Sequence, residues 1–116
     1  MSDITRFDTG ARMSQAVVHG STVYLAGQCG SAFKPIADQT REALVRIEDL
    51  LERAGSDKTR LLSVTIWLAD IADYDVVNAV WDAWIAPGTA PARACCQAPL
   101  GGQGYGMEII CTAALS

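Results

Sequence analysis

Two charged residues stand alone in apolar segments near the end of the chain, and both could do chemistry. Arg93 lies in Pro91–Ala98 and Glu108 lies in Met107–Ala114, two runs that otherwise hold mostly apolar or small residues. A guanidinium in such a strand requires an anion, and its planar fork suits a carboxylate. A carboxylate in the same setting can position or deprotonate a water. The pattern leaves two alternatives open for both residues, which are a site for a small ligand and a structural ion pair between Arg93 and Glu108.

The four cysteines and the single histidine form no recognisable metal-binding or nucleophile motif. Cys95 and Cys96 are adjacent, so on a strand they point to opposite faces and cannot grip one metal together. His19 falls in a predicted turn, and no serine or cysteine is linked to it by a catalytic motif. We therefore expect no metal, an exposed His19, and reduced, buried thiols at Cys29, Cys95, Cys96 and Cys111.

Composition and charge indicate a small acidic protein. The chain has 116 residues, a net charge of −4 and 50% hydrophobic residues. This length suits a single domain over residues 1–116, and the apolar excess favours contact with other subunits. The lack of a basic stripe argues against nucleic-acid binding. Neither a signal peptide nor a transmembrane segment is evident, so we expect a cytoplasmic protein that does not associate with membranes.

The apolar periodicity predicts the elements that position Arg93 and Glu108. In chain order these are strands at 15–18 and 23–27, a helix at 38–54, a strand at 61–69, a helix at 73–85, and strands at 92–98 and 107–114. Asp38 is the predicted N-cap of the first helix and Gly55 its C-terminal stop, and the glycine cluster at 101–106 is predicted to be a flexible connection. The order β-β-α-β-α-β-β predicts an α+β fold. Two helices would cover one face of a mixed sheet, and a second subunit would cover the other.

Six stretches, in order along nearly the whole chain, resemble the Rid family, also called the YjgF family, whose best-known members are enamine/imine deaminases. The matching stretches are Ser14–Gly20, Val23–Gln28, Asp38–Leu44, Asp73–Asn78, Pro91–Arg93 and Met107–Ile109. The resemblance implies a chorismate-mutase-like fold and a homotrimer with ligand sites in the clefts between subunits. It also implies cofactor-free hydrolysis of 2-imino or enamine acids, of the 2-aminoacrylate/2-iminopropanoate class, to 2-keto acids and ammonia.

The resemblance also implies roles for individual residues. Arg93 matches the arginine that clamps the substrate carboxylate, and Glu108 matches the acid that positions the hydrolytic water. Cys95 matches a position where the backbone, more than the thiol, contacts the ligand. Asn78 and Gly27 match further positions in the cleft.

Two residues depart from the family pattern. Met13 stands where many deaminases carry a tyrosine, which predicts a more apolar cleft and either a larger or less polar substrate or weak activity. Cys29 stands where an aliphatic residue is common. Two other functions stay open, namely a non-catalytic protein that binds or senses a small carboxylate metabolite through Arg93, and a stress-induced holdase. Endoribonuclease activity, an old family label, is disfavoured by the acidic charge.

Overall fold

The computed structural model describes residues 3–116 and contains a six-stranded sheet and two α-helices. The elements are β1 (Ile4–Phe7), β2 (Ala16–His19), β3 (Thr22–Leu25), α1 (Ile36–Ala54), β4 (Leu61–Leu68), α2 (Tyr74–Trp84), β5 (Ala92–Gln97) and β6 (Met107–Ala114). The strand order is β1-β2-β3-β6-β4-β5, with β4 and β5 parallel and all other neighbours antiparallel. The predicted α+β class with a mixed sheet and two helices is confirmed.

Alternating strand residues bury one face of the sheet against both helices. In β4, Val64, Ile66 and Leu68 are at most 2% exposed, whereas Trp67 between the last two is 37% exposed. The buried residues of β4 form one core cluster with those of both helices. The helical members are Ala43, Leu44, Ile47, Leu50, Leu51, Val77 and Trp81. We call the side of the sheet that carries Val64 the covered face and the side that carries Trp67 the open face.

The first helix begins earlier than the sequence predicts. Asp38 is not its N-cap, because α1 starts at Ile36 and Pro35 takes the capping position. Pro35 has the non-helical ψ of 144° typical of an N-cap residue and makes no side-chain cap, and its carbonyl accepts the first helical hydrogen bond from the N–H of Gln39 at 3.0 Å. Gly55 ends the helix as predicted, with φ of 90° in the left-handed region. Within residues 3–116, neither helix has the length and apolar character that crossing a bilayer requires.

The N-terminal strand β1 was not predicted. It pairs with β2 at the edge of the sheet, and Ile4, Thr5 and Arg6 are all exposed. An exposed edge strand has no buried face, so it leaves no apolar alternation in the sequence. The hairpin after it is confirmed with a shorter turn, because His19 ends β2 as an exposed residue and Gly20, with φ of 63°, begins the turn.

The prediction of four buried cysteines is wrong for three of them. Cys111 is buried, Cys29 and Cys95 are half-buried, and Cys96 is exposed; none of the four forms a disulfide. Cys96 is exposed because it lies on the edge strand β5 beside Trp67, on the open face. The opposite orientation of Cys95 and Cys96 agrees with the sequence analysis.

The open face carries apolar side chains that residues 3–116 leave exposed or half-buried. Tyr24 on β3 is 48% exposed and Trp67 on β4 is 37% exposed. The same surface extends across β2 and β6 through two half-buried residues. Val17 on β2 pairs with Tyr24, and Ile110 on β6 pairs with Thr65, which lies beside Trp67. Contiguous apolar surface of this kind on a small protein is typical of an interface.

Candidate functional site

The guanidinium of Arg93 is held by two residues of α2. Arg93 pairs with Val64, which places its side chain on the covered face. Its Nη2 donates a hydrogen bond of 2.7 Å to Oδ1 of Asn78. Its Cζ lies 5.4 Å from the ring centre of Trp81. Asn78 and Trp81 are three residues apart, so they share one helix face. The amide of Asn78 and the indole of Trp81 carry no net charge, so neither neutralises the guanidinium. We refer to the group of Arg93, Asn78, Trp81 and Cys95 as the Arg93 corner.

The structural ion pair that the sequence left open between Arg93 and Glu108 does not form. Glu108 pairs with Trp67 and therefore points to the open face, away from Arg93. None of the ion pairs among residues 3–116 includes either residue. A guanidinium has five N–H donors, and one of them is engaged by Asn78. The remaining donors can bind an anion, which none of the ion pairs within residues 3–116 supplies.

Cys95 lies two residues beyond Arg93 on β5 and points the same way. With Tyr74 and Asp75 at the start of α2 it borders an open pocket of about 520 Å³. Burial raises the pKa of its thiol, against the opposing effect of the Arg93 charge. The thiol is therefore protonated at neutral pH and is a poor nucleophile.

Glu108 lies against the segment Gly27–Cys29, and together these residues form what we call the Glu108 corner. The Cys29 thiol donates a hydrogen bond of 3.5 Å to Oε1 of Glu108. A Cβ at Gly27 would lie 2.5 Å from Oε2 and 2.7 Å from Cδ of the same side chain, so only glycine leaves room for it. Backbone hydrogen bonds of 2.9 Å run in both directions between Gln28 and Ile109. The carboxylate is therefore set in place by the backbone as well as by a side chain.

Met13 belongs with the Glu108 corner and not with the Arg93 corner of the same chain. It lies in the β1–β2 loop with its side chain 48% exposed. Gln15, two residues on, accepts a hydrogen bond of 2.9 Å from Nε2 of Gln28, next to Gly27. Strands β1 and β5 are opposite edges of the sheet, which separates this loop from Arg93.

The predicted site residues therefore form two groups in one chain. Arg93, Asn78 and Cys95 lie together, and Glu108 and Gly27 lie together with the Met13 loop nearby. Among residues 3–116, no three His, Cys, Asp or Glu side chains are grouped as ligands for a metal ion.

The contacts of Trp81 and Cys29 at these corners were not predicted from the sequence. The spacing from Asn78 to Trp81 places both on one helix face and could have indicated the first contact. The contact of Cys29 with Glu108 depends on the pairing of Gln28 with Ile109, and no local pattern signals it.

Three comparisons relate the chain to known proteins. Residues 3–115 match the sequence profile of the family described as Endoribonuclease L-PSP. The RutC family protein YoaB of Escherichia coli K12 is 39% identical over 112 residues, which cover 97% of this chain and 98% of YoaB. A protein of Rattus norvegicus named 2-iminobutanoate/2-iminopropanoate deaminase is 34% identical over 103 residues, 83% of this chain and 74% of the rat protein.

A solved structure is also similar. The crystal structure of NMB1025 from Neisseria meningitidis, described as a YjgF family member, is 39% identical in sequence and superposes with a TM-score of 0.96, covering 98% of this chain and 96% of NMB1025. This chain belongs to the YjgF, or Rid, family.

Proposed function

We propose that this protein hydrolyses reactive 2-imino or enamine acids of the 2-aminoacrylate/2-iminopropanoate class to 2-keto acids and ammonia, without a cofactor. The observation that carries the proposal is Arg93. Its half-buried guanidinium is oriented by Asn78 and Trp81 and receives no carboxylate from residues 3–116. Such a group binds a planar carboxylate, and every 2-imino acid has one. The name of the rat relative supports the same substrate class.

The proposed site lies between subunits of a homotrimer. Arg93 and Glu108 occupy opposite faces of one sheet, so a ligand of a few atoms cannot touch both within one chain. In a ring of identical subunits, each contact joins two different surfaces of the chain. The apolar open face around Tyr24 and Trp67 is suited to such a contact. Each cleft would then combine Arg93 of one subunit with Glu108 of the next.

The chemistry requires few groups. An enamine acid first becomes the imine by protonation at carbon, and the imine carbon is electrophilic. Arg93 fixes the substrate carboxylate, and Glu108 accepts a proton from a water that attacks this carbon. Glu108 passes this proton to nitrogen, which gives the tetrahedral intermediate. The hydroxyl proton of the intermediate then also passes through Glu108 to nitrogen, the C–N bond breaks, and ammonia leaves as the ketone forms. One water is consumed for each imine.

The test generates 2-iminopropanoate and 2-iminobutanoate in situ with an amino-acid oxidase and traps the remaining imine with semicarbazide. Wild type is expected to accelerate loss of imine, and Arg93→Ala to abolish the acceleration. Arg41→Ala is the matched control, because Arg41 is an exposed arginine on α1 paired with Asp38 at 3.1 Å, and it is expected to keep wild-type activity. Failure of the wild type to accelerate loss of either imine would contradict the proposal.

Met13 weakens the standard deaminase assignment and leaves a second candidate function open, the non-catalytic binding of a small carboxylate metabolite. Its thioether side chain supplies no hydroxyl at a position where many deaminases of the family carry tyrosine. Arg93 would bind the ligand in the same way, and no reaction would follow. Calorimetric binding of a 2-keto acid that is lost in Arg93→Ala, in a protein without imine hydrolysis, would identify this function.

A further inference from the structure

The hydrogen bond between the Cys29 thiol and the Glu108 carboxylate is not required to satisfy a buried charge. Glu108 is half-buried on the open face, where its carboxylate could reach solvent without a protein partner. Instead, the thiol of Cys29 donates to its Oε1 at 3.5 Å. The other oxygen, Oε2, lies over Gly27 in the space that a side chain there would fill.

The segment that supplies these contacts is itself fixed at several points. Gln28 is joined to Ile109, the neighbour of Glu108, by two backbone hydrogen bonds of 2.9 Å. Its side-chain Nε2 is bonded to Gln15 at 2.9 Å and to the carbonyl of Ala26 at 3.1 Å. Nη1 of Arg46 on α1 donates to the carbonyl of Cys29. The thiol is therefore held on a rigid support beside the carboxylate.

We propose that Cys29 is a positioning residue that holds Oε1 of Glu108, so that the carboxylate keeps one orientation toward the water it activates. This inference rests on the proposed function and adds a residue to it. A carboxylate has about four lone-pair positions, so one bond from the thiol leaves acceptor capacity for a water. Without that bond, the side chain would sample rotamers in which its oxygens no longer face the substrate.

The thiol is suited to act as a donor over the whole neutral range. Burial, followed by the charge and hydrogen bond of Glu108, raises the pKa of the Cys29 thiol to about 11, and the charge of Arg46 opposes this. The charged groups that face the thiol are Glu108 from β6 and Arg46 from α1. A thiolate at this place would repel the carboxylate, so only the protonated form can position Glu108.

The activity test compares Cys29→Val, which removes the donor, with Cys29→Ser, which keeps one. With the imine substrates, Cys29→Val is expected to lower kcat about fivefold, while KM, which depends on Arg93, stays within about twofold. Cys29→Ser is expected to retain at least about half of wild-type kcat, because a hydroxyl can replace the thiol as donor. Cys111→Val is the control for loss of a buried thiol in the core, and it is expected to leave kcat unchanged.

A second measurement does not depend on activity or on the folding of a Cys29 variant. Alkylation by iodoacetamide is followed at Cys29 by peptide mass spectrometry between about pH 7.5 and 9.5, relative to exposed Cys96 in the same sample. Burial is the largest cause of the raised pKa of Cys29 and persists in Glu108→Gln, whereas the charge of Glu108, the next cause, is removed. Alkylation of Cys29 is therefore expected to be at least about threefold faster in this variant than in wild type.

The outcomes separate the two proposals. Wild-type kcat in Cys29→Val, or an alkylation rate at Cys29 that Glu108→Gln does not change, would overturn the role of Cys29. If the wild type hydrolyses no imine, the proposed function fails, and the alkylation rates alone decide whether Cys29 holds Glu108.

Discussion

The Arg93 corner and the Glu108 corner hold their charged groups by different means. Side chains of α2 orient Arg93, through the amide of Asn78 and the ring of Trp81. Glu108 is oriented by a backbone segment, through the missing side chain of Gly27 and the thiol of Cys29. Substitution of one residue of α2 can change the orientation of Arg93 by a small amount. The position of Glu108 depends on the space above Gly27, which any side chain at that position would fill. Substitutions at the Arg93 corner should therefore change substrate binding, and those at the Glu108 corner should change the chemical step.

The largest expected effect is the return of activity when chains with a substituted Arg93 corner are mixed with chains with a substituted Glu108 corner. Arg93→Ala and Glu108→Gln chains are each expected to be inactive alone. In a cyclic trimer, every ring that contains both variants has one cleft with both native residues, so random mixing restores about a quarter of the wild-type sites. The measurement is imine hydrolysis after the two variants are refolded together, with light scattering to establish a mass about three times the 12.3 kDa of one chain.

The control replaces one partner with the double variant that carries both substitutions. Mixing it with Arg93→Ala leaves no cleft with both native residues, so no activity should return. Equal activity in the two mixtures, or none in either, would contradict a site shared between subunits.

A smaller effect on activity is expected from substitution of Gly27 in the Glu108 corner, and Gly30, in the same segment, provides the comparison. Neither Gly27 nor Gly30 has a positive φ, so alanine is allowed by the backbone at both. The new Cβ at Gly27 would meet the movable end of Glu108, at 2.5 Å from Oε2. Gly27→Ala should therefore displace the carboxylate and lower kcat roughly tenfold to a hundredfold, with less than about 1 kcal/mol lost from the free energy of unfolding.

Gly30→Ala is the matched substitution in the same segment. There the new Cβ would overlap Cα and O of Gln39, which are backbone atoms of α1. Overpacking against a helix backbone cannot relax by a rotamer change, so about 3 kcal/mol or more of stability should be lost. Urea unfolding of both variants measures the difference, and equal loss of stability at the two positions would show that Gly27 is a packing residue only.

The fold was largely predictable because its strongest elements repeat apolar residues at regular spacing. Two patterns predict residues that are buried in the core. They are the apolar stripe of α1 from Ala43 to Leu51 and the alternation of Val64, Ile66 and Leu68 in β4. The errors lie where packing leaves no pattern. The strand β1 is exposed at the sheet edge, and α1 begins directly after Pro35, ahead of the predicted cap Asp38.

The site was predictable as a set of residues and not as an arrangement. Period two along β5 places Arg93 and Cys95 on one side correctly. It cannot relate Arg93 to Glu108, because that requires the register of β4 against both β5 and β6. The glycines at 101–106 show the same limit. Their composition predicts a flexible connection but gives no sign of Gln39 on α1, whose Nε2 donates to the carbonyl of Gly104 at 3.0 Å and whose Oε1 accepts from the N–H of Gly106 at 2.9 Å.

The smallest effect, and the sharpest test of the Arg93 corner, is expected at Asn78. Asn78→Ala removes the acceptor that orients Arg93, and KM should rise about fivefold with kcat nearly unchanged. Asn78→Asp keeps an acceptor at the same position but adds a charge that pairs with the guanidinium and competes with the substrate carboxylate. KM should then rise about tenfold or more although Arg93 remains well placed. Steady-state kinetics on both variants decides between the two causes, because a purely orienting role for Asn78 predicts that Asn78→Asp behaves like wild type.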